Sequence, residues 1–256
     1  MGVLSLVGAL LLGAFYVRSR TLAGAALPDA RARANMNALL DAHVVAVVGA
    51  HPDDLDFYAG GTAALLASRG ARIHLLVCTP GGKENRWWMT PAASRKLGAV
   101  RIAEQRASGR VLGLADVTFL NHADGSLKDN APLECEISAW LCRIRPDTVM
   151  AFDYESPWGS RAHAHPDHLA GGEATAHAIS AVHPTPLLFL YGTGEPNTWV
   201  NITPVVERKW QALAAHRSQF HGWRMWLVKR LLSRWTQGEG AKVGARYAET
   251  FRLASP

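Results

Sequence analysis

Residues 44–54 read VVAVVGAHPDD, an apolar β-branched run that stops at a glycine and leads at once to an imidazole and two adjacent carboxylates. Such a run suits a strand buried on both faces inside a parallel sheet, and a strand is predicted over Val44–Gly49. A Gly60-Gly61-Thr62 turn follows and opens a helical stretch, Gly60–Ser68. The glycine pair lacks the GxGxxG spacing of a dinucleotide site, and no acidic residue caps the second strand. A steric need for glycine where strand passes tightly into helix explains it.

Outward from this stretch the same alternation continues. Further strands are predicted at Arg72–Cys78, Val117–Leu120, Thr148–Phe152 and Leu187–Tyr191, and helices at Ser94–Leu112, Leu133–Ile144 and His168–Ala181. Strands alternating with helices give an α/β fold: a Rossmann-like, doubly wound, mostly parallel sheet with helices on both faces. At 256 residues, 48% hydrophobic and 19% charged, the chain suits one large domain with a full core. Cys78, Cys135 and Cys142 are too few and too scattered for a disulfide framework or a CxxC zinc site, so free thiols are expected.

In this architecture ligands gather beyond the carboxyl ends of the strands. Two clusters lie there. One is His51-Pro52-Asp53-Asp54; the other, eleven residues past Phe152, is His163-Ala164-His165-Pro166-Asp167-His168. Imidazole and carboxylate together are a ligand set that suits zinc. One such cluster is commonplace in a polar turn, whereas two at equivalent strand ends point to a site.

The pair AHPDD with its GGT turn and HPDH on a later loop resembles the LmbE-like/PIG-L family of zinc-dependent de-N-acetylases. Supporting stretches are VRIAEQ (Val100–Gln105), ADG (Ala123–Gly125), HRSQ (His216–Gln219) and RYAETFRL near the C-terminus, so the likeness spans about residues 44–253. The resemblance implies one Zn2+ per chain held by His51, Asp54 and His168, with Asp53 as general base. It implies that His165 faces the developing oxyanion with Asp167 orienting it, and that Arg101 and Asp124 contact a sugar-like substrate. The implied partner is an N-acetylated amino-sugar conjugate. Physical logic agrees: three ligands leave a fourth metal position for water, and an adjacent carboxylate that is not a ligand can take its proton. A protonated His165 would stabilise the oxyanion and later protonate the leaving amine.

The chain also departs from the family pattern. Leu55 stands where an acidic residue often follows the two aspartates. In the loop after the second strand only Glu84 carries the expected acid, displaced in register. His163 replaces a tyrosine found in some members, which makes it a candidate substrate contact. Two other readings compete. His163, His165, Asp167 and His168 satisfy HxHxDH, the signature of dinuclear metallo-β-lactamase-like hydrolases, although that reading leaves His51-Pro52-Asp53-Asp54 unexplained. The other is a membrane-tethered binding module that has lost catalysis. His43, His74, His122, His177 and His183 are assigned no role. His216 is open between a supporting role and none, and Trp87 and Trp88 between a substrate entrance and loop packing.

The net charge of +6 is unevenly spread. Residues 41–206 carry 13 basic against 17 acidic side chains, whereas residues 207–235 carry seven against one. A basic stripe across the folded body, as a nucleic-acid partner requires, is missing. Met1–Val17 is an uncharged run followed by Arg18 and Arg20, with no basic residue before it. It is predicted as a membrane-anchor helix (residues 1–20), in preference to a signal peptide or a buried domain helix, leading through a linker (21–42) to the catalytic domain (43–253) on the cytoplasmic side. Near the other end, Phe220, Trp223, Leu227, Leu231 and Trp235 would form one helical stripe with Arg224, Lys229, Arg230 and Arg234 off it. That pattern fits a membrane interface or a core-packing helix equally. Oligomeric state is not legible.

Overall fold

The structure, a computed structural model, describes residues 28–83 and 89–254. The elements in chain order are α1 (Ala30–Leu40), β1 (Val44–Gly49), α2 (Asp54–Tyr58), α3 (Gly60–Ser68), β2 (Arg72–Val77), α4 (Pro91–Leu112) and β3 (Asp116–Phe119). Then come α5 (Ala131–Ile144), β4 (Thr148–Phe152), α6 (Pro166–Ala178), β5 (Leu187–Tyr191), β6 (Thr198–Asn201), α7 (Val206–Ala215), α8 (Trp223–Ala241) and β7 (Ala248–Leu253). The sheet order is β3-β2-β1-β4-β5-β7-β6. The first five strands are parallel, and β7 runs antiparallel to both of its neighbours.

Side chains alternate across the sheet, so each strand feeds two cores. Val45, Val47, Ile73, Leu75 and Met150 pack on one face with Leu39, Leu66, Leu112, Leu213 and Leu232 from α1, α3, α4, α7 and α8. Ala46, Val48, Leu76, Val149 and Ala151 pack on the other with Leu133 and Ile137 of α5 and Ala170 and Ala174 of α6. This is the expected doubly wound arrangement. The strand order reverses between β1 and β4, and ligands collect at the carboxyl ends of such a switch. The loops carrying His51 and His165 leave from these two strands.

Helix starts fall earlier than periodicity places them, because caps fix them. Thr90 accepts from Ala93 N ahead of Pro91, and Asn130 accepts from Leu133 N ahead of Pro132. The segment 21–42, expected to be a linker, contains α1, capped by Asp29. Asn35 Nδ2 of this helix donates to Asn197 O beside β6. Strand β6 escapes the sequence reading because it is only four residues long, and β7 because it buries Glu249, which breaks the apolar pattern. The expected anchor, Met1–Val17, lies outside the described residues, as do Glu84, Trp87 and Trp88. Among the described residues no helix is long and apolar enough to cross a membrane.

The basic–aromatic segment is helical, but its buried stripe is not the predicted one. Gly222 at φ +53° starts the helix afresh, leaving Phe220 buried in the preceding turn. The face of α8 that docks on the body is Val228, Leu232, Trp235, Thr236 and Glu239, with Trp235 stacked 5.2 Å from Trp158. Trp223 points away from it.

Glycine at position 61 answers to a neighbour rather than to the turn. A Cβ there would lie 2.7 Å from Ile202 Cδ1, a fully buried side chain. No local side chain caps α3. The carboxylate of Glu249 does so from β7, accepting from Gly61 N, Thr62 N and Thr62 Oγ1 at 2.6–3.0 Å.

Candidate active site

Beyond β1 the chain reverses sharply enough to bring Asp54 back onto the strand end. Its Oδ2 accepts from Ala50 N and His51 N, both at 2.9 Å. This places Asp54 Oδ1 3.1 Å from His168 Nε2, while His51 Nδ1 lies 3.3 Å from His168 Nε2 and 4.0 Å from Asp54 Oδ2. Tetrahedral zinc with bonds near 2 Å has ligand–ligand edges of about 3.3 Å. The triangle His51–Asp54–His168 therefore fits that ion, and all three residues are buried or half-buried.

The other edge of the His51 ring strengthens the fit. Nε2 faces Asp124 Oδ1 and Asp167 Oδ2, each at 3.2 Å. An ionised carboxylate only accepts, so Nε2 must carry a proton toward them, which directs the Nδ1 edge to Asp54 and His168. Burial lowers the pKa of this imidazole, but Asp124, Asp167 and Asp54 outweigh it and push it up to about 10. So much negative charge around one ring is an environment that suits a cation. His51, Asp124 and His165 form a second converging group, but it shares the Nε2 edge already given to the carboxylates.

The second loop enters through a helix cap. His165 caps α6, its Nδ1 accepting from Asp167 N at 3.2 Å ahead of Pro166. Nδ1 is thus the acceptor, and in the neutral ring the proton sits on Nε2. Burial together with the His51 and His168 imidazoles holds His165 well below the ordinary histidine range. Asp167, expected to orient the His165 ring, meets it through its backbone. The carboxylate turns to His51 and also accepts from Gly125 N (2.7 Å) and Leu127 N (3.0 Å), pinning the loop after β3. The backbone of Asp167, not its side chain, bonds the His165 ring.

Asp53 and Asp54 are adjacent in sequence yet opposite in environment. Asp54 is held well below the usual carboxylate range, the His168 and His51 imidazoles outweighing burial. Asp53 is raised, because burial dominates and the Arg101 guanidinium at 3.1 Å offsets it only in part. Two carboxylates whose pKa values are driven apart are suited to different tasks.

Asp53 also has φ +89°, a left-handed backbone unusual for a residue with a side chain. A network behind it holds that conformation. Asp53 N donates to Gln105 Oε1 at 2.7 Å, Gln105 Nε2 donates to Asp56 Oδ2 at 3.0 Å, and Asp56, fully buried, also accepts from Ser108 Oγ and from His216 Nε2. Glu104 on the same helix accepts from Ser218 N and Oγ, so the VRIAEQ and HRSQ stretches are bonded to each other. His216 is therefore a buried supporting residue. Gln105 and Asp56 were not singled out, although the spacing of Arg101 and Gln105, one turn apart on α4, is the signal that both face the same loop.

Arg101, expected to contact substrate, is buried. It donates to Gly81 O (2.7 Å), Pro52 O (2.6 Å) and Asp53 Oδ2, locking the loop that carries Asp53. Asp124 is at the cluster, but its carboxylate is engaged by His51 and by Lys83 N at 2.7 Å. His163 is exposed and pairs with Ser160 Oγ at 2.8 Å, so the fold does not bring it to the metal triangle. The HxHxDH reading loses its first histidine there, and the doubly wound sheet is not the fold that reading expects.

The profile of the PIG-L family, GlcNAc-PI de-N-acetylase, matches residues 46–179, just over half of the chain. The chain belongs to the PIG-L family. Over 231 residues it is 27% identical to diacetylchitobiose deacetylase of Thermococcus kodakarensis, covering 83% of this chain and 84% of that protein. It is 29% identical to a probable N-acetyl-α-D-glucosaminyl L-malate deacetylase of Bacillus cereus, covering 70% and 84%. Its fold matches the N,N′-diacetylchitobiose deacetylase of Pyrococcus horikoshii with a TM-score of 0.77 at 27% identity, over 85% of this chain and 86% of that one. In this PIG-L chain the motifs divide by task. AHPDD and HPDH build the triangle, and VRIAEQ and HRSQ hold Asp53 beside it.

That division is testable. Gln105→Ala leaves Asp53 N–H without its acceptor and Asp56 without one donor. Misplacing a reacting group by about 1 Å costs on the order of 10² in rate. The variant is expected to lose about that much kcat with little change in KM or metal content, read from steady-state kinetics beside metal analysis.

Proposed function

We propose that this enzyme is a zinc-dependent hydrolase that removes an acetyl group from the amide nitrogen of an N-acetylated amino-sugar conjugate. The observation that carries the reading is the juxtaposition of the His51–Asp54–His168 triangle with Asp53, a neighbouring carboxylate tied to Arg101 rather than to the triangle, whose pKa burial pushes up while that of Asp54 is held down. The deacetylases to which the chain is similar act on N-acetylated sugars by name, and that supports the substrate class.

A zinc ion in the triangle would polarise the amide carbonyl and supply a water of lowered pKa. The rest is done by this chain's residues. Asp53, held by Arg101 and Gln105, accepts the water's proton as the carbonyl carbon is attacked. The neutral His165, with Nε2–H free of the cap bond at Nδ1, donates to the oxygen that gains charge. Asp53 then returns its proton to the departing nitrogen, so the C–N bond breaks to give acetate and a free amine. Asp124 and Asp167 keep the His51 ring in the required tautomer throughout.

The reading includes a place of work, the cytoplasmic face of a membrane, with Met1–Val17 as anchor and a substrate whose aglycone lies at the lipid surface. The charge asymmetry supports it: Arg18, Arg20, Arg31 and Arg33 all follow the apolar run.

The test is hydrolysis of soluble N-acetylglucosaminides, diacetylchitobiose and an inositol-linked N-acetylglucosamine among them, followed by release of free amine. Turnover is expected to vanish with a chelator and return with one equivalent of zinc. His168→Ala is expected to lose both zinc and turnover. Stoichiometric zinc with no amide hydrolysis would leave a binding module, and two zinc ions per chain would overturn the mononuclear assignment.

A further inference from the structure

Among the described residues the large apolar side chains left exposed are Val100, Leu187, Trp223 and Trp226, and the two tryptophans lead at 64% and 62%. They stand three residues apart at the start of α8 and so share one side of the helix. The opposite side is fixed to the body: Val228, Leu232 and Trp235 are buried in the core below the sheet. The orientation of the pair is thus set by packing elsewhere on the same helix. The turn ahead of it is open, since nothing lies within 4 Å of where a Cβ on Gly222 would be.

The surroundings of the pair are cationic. Between His216 and Trp235 the sequence holds Arg217, Arg224, Lys229, Arg230 and Arg234 and no acidic residue. The Arg230 guanidinium lies 5.3 Å from the Trp226 ring centre and that of Arg224 lies 6.0 Å from Trp223. Lys229 is the exception, turned to the Trp210 ring and to Glu207. Exposed indole rings flanked by guanidinium groups combine an apolar body, a hydrogen-bonding edge and positive charge. That combination suits the headgroup region of a bilayer, where indole is favoured over both water and hydrocarbon.

We propose that the first two turns of α8 are a docking surface for an anionic membrane, with Trp223 and Trp226 entering the headgroup layer and Arg224 and Arg230 pairing with lipid phosphates. The choice of occupant rests on charge complementarity. Among the described residues neither Arg224 nor Arg230 is ion-paired with a carboxylate, so a dense anionic surface would satisfy them, and screening by salt makes the contact reversible. The inference deepens the membrane placement proposed above and rests on it for its use, but it is separable from the anchor, because Met1–Val17 contains no tryptophan.

Full-length protein is mixed with vesicles of phosphatidylcholine alone or with 30% phosphatidylglycerol, the lipids carrying brominated chains that quench nearby indoles. Quenching is expected with the anionic vesicles, to fall with added salt, and to be largely lost in Trp223→Ser/Trp226→Ser. Arg224→Gln/Arg230→Gln is expected to weaken the α8 contact read by quenching more than tenfold, given about 1 kcal/mol per basic residue at an anionic surface. Hydrolysis of a soluble substrate should be unchanged in both variants, which also reports that they fold. If the serine variant is quenched as strongly as the parent, the surface is not α8. Continued sedimentation with vesicles would then leave the anchor reading standing alone. If the parent is not quenched and the serine variant instead changes the mass of the protein in solution, the patch joins copies of the chain and the proposal fails.

Discussion

Asp53→Asn is expected to lower kcat by about 10²–10⁴, the usual contribution of a positioned general base, while zinc content and KM stay near those of the parent. The two halves of this outcome rest on different observations. Activity should fall because the amide oxygen of asparagine cannot hold the proton that the attacking water gives up. Metal should stay because the three triangle donors belong to His51, Asp54 and His168, and Asp53 is tied elsewhere, to Arg101 and through its backbone to Gln105. The substitution is nearly isosteric and keeps an acceptor for Arg101. Metal analysis beside a rate measurement reads both halves. Loss of zinc would make Asp53 a ligand, and full activity would remove it from proton transfer.

Much of this site was legible because its chemistry is local in sequence. His51, Asp53 and Asp54 occupy four consecutive positions at a strand end, and His165, Asp167 and His168 fall in four consecutive positions at a helix start. Such runs need only the strand assignment to be placed at the switch point. The division of labour inside each run was not legible, because partners from distant loops set it. The carboxylate of Asp167 turns to His51 since Gly125 and Leu127 present N–H groups on that side, and nothing in HPDH announces them. Arg101 is a similar case. Its position on the α4 face is readable, but its burial depends on the loops at Pro52 and Gly81 closing over it. The fold divides in the same way: the central parallel strands β1, β4 and β5 declare themselves by nearly continuous apolar runs, whereas β7 hides behind the charge of Glu249.

That charge underlies the second large effect, an expected loss of about 3–5 kcal/mol of stability in Lys209→Met, the range for removing one partner of a buried ion pair. Lys209 and Glu249 are both fully buried, 2.6 Å apart. Lys209 also donates to Asp56 O (3.0 Å) and Phe57 O (2.8 Å), the carbonyls at the end of α2, and Glu249 caps the next helix. One pair therefore joins α2, α3, α7 and β7 directly behind the aspartates of the site. Methionine fills the volume but leaves a carboxylate in the core without its cation and two carbonyls without a donor. In a chain of this size the loss should lower Tm by about 10 °C. If the cost is the stranded charge, adding Glu249→Gln to Lys209→Met should recover part of it, since glutamine keeps acceptor oxygen toward Gly61 and Thr62. If the cost lies mainly in the freed carbonyls of Asp56 and Phe57, the double variant will be no more stable than the single one. In that case Lys209 acts chiefly as the cap of α2, and the loop carrying Asp53 should loosen with it.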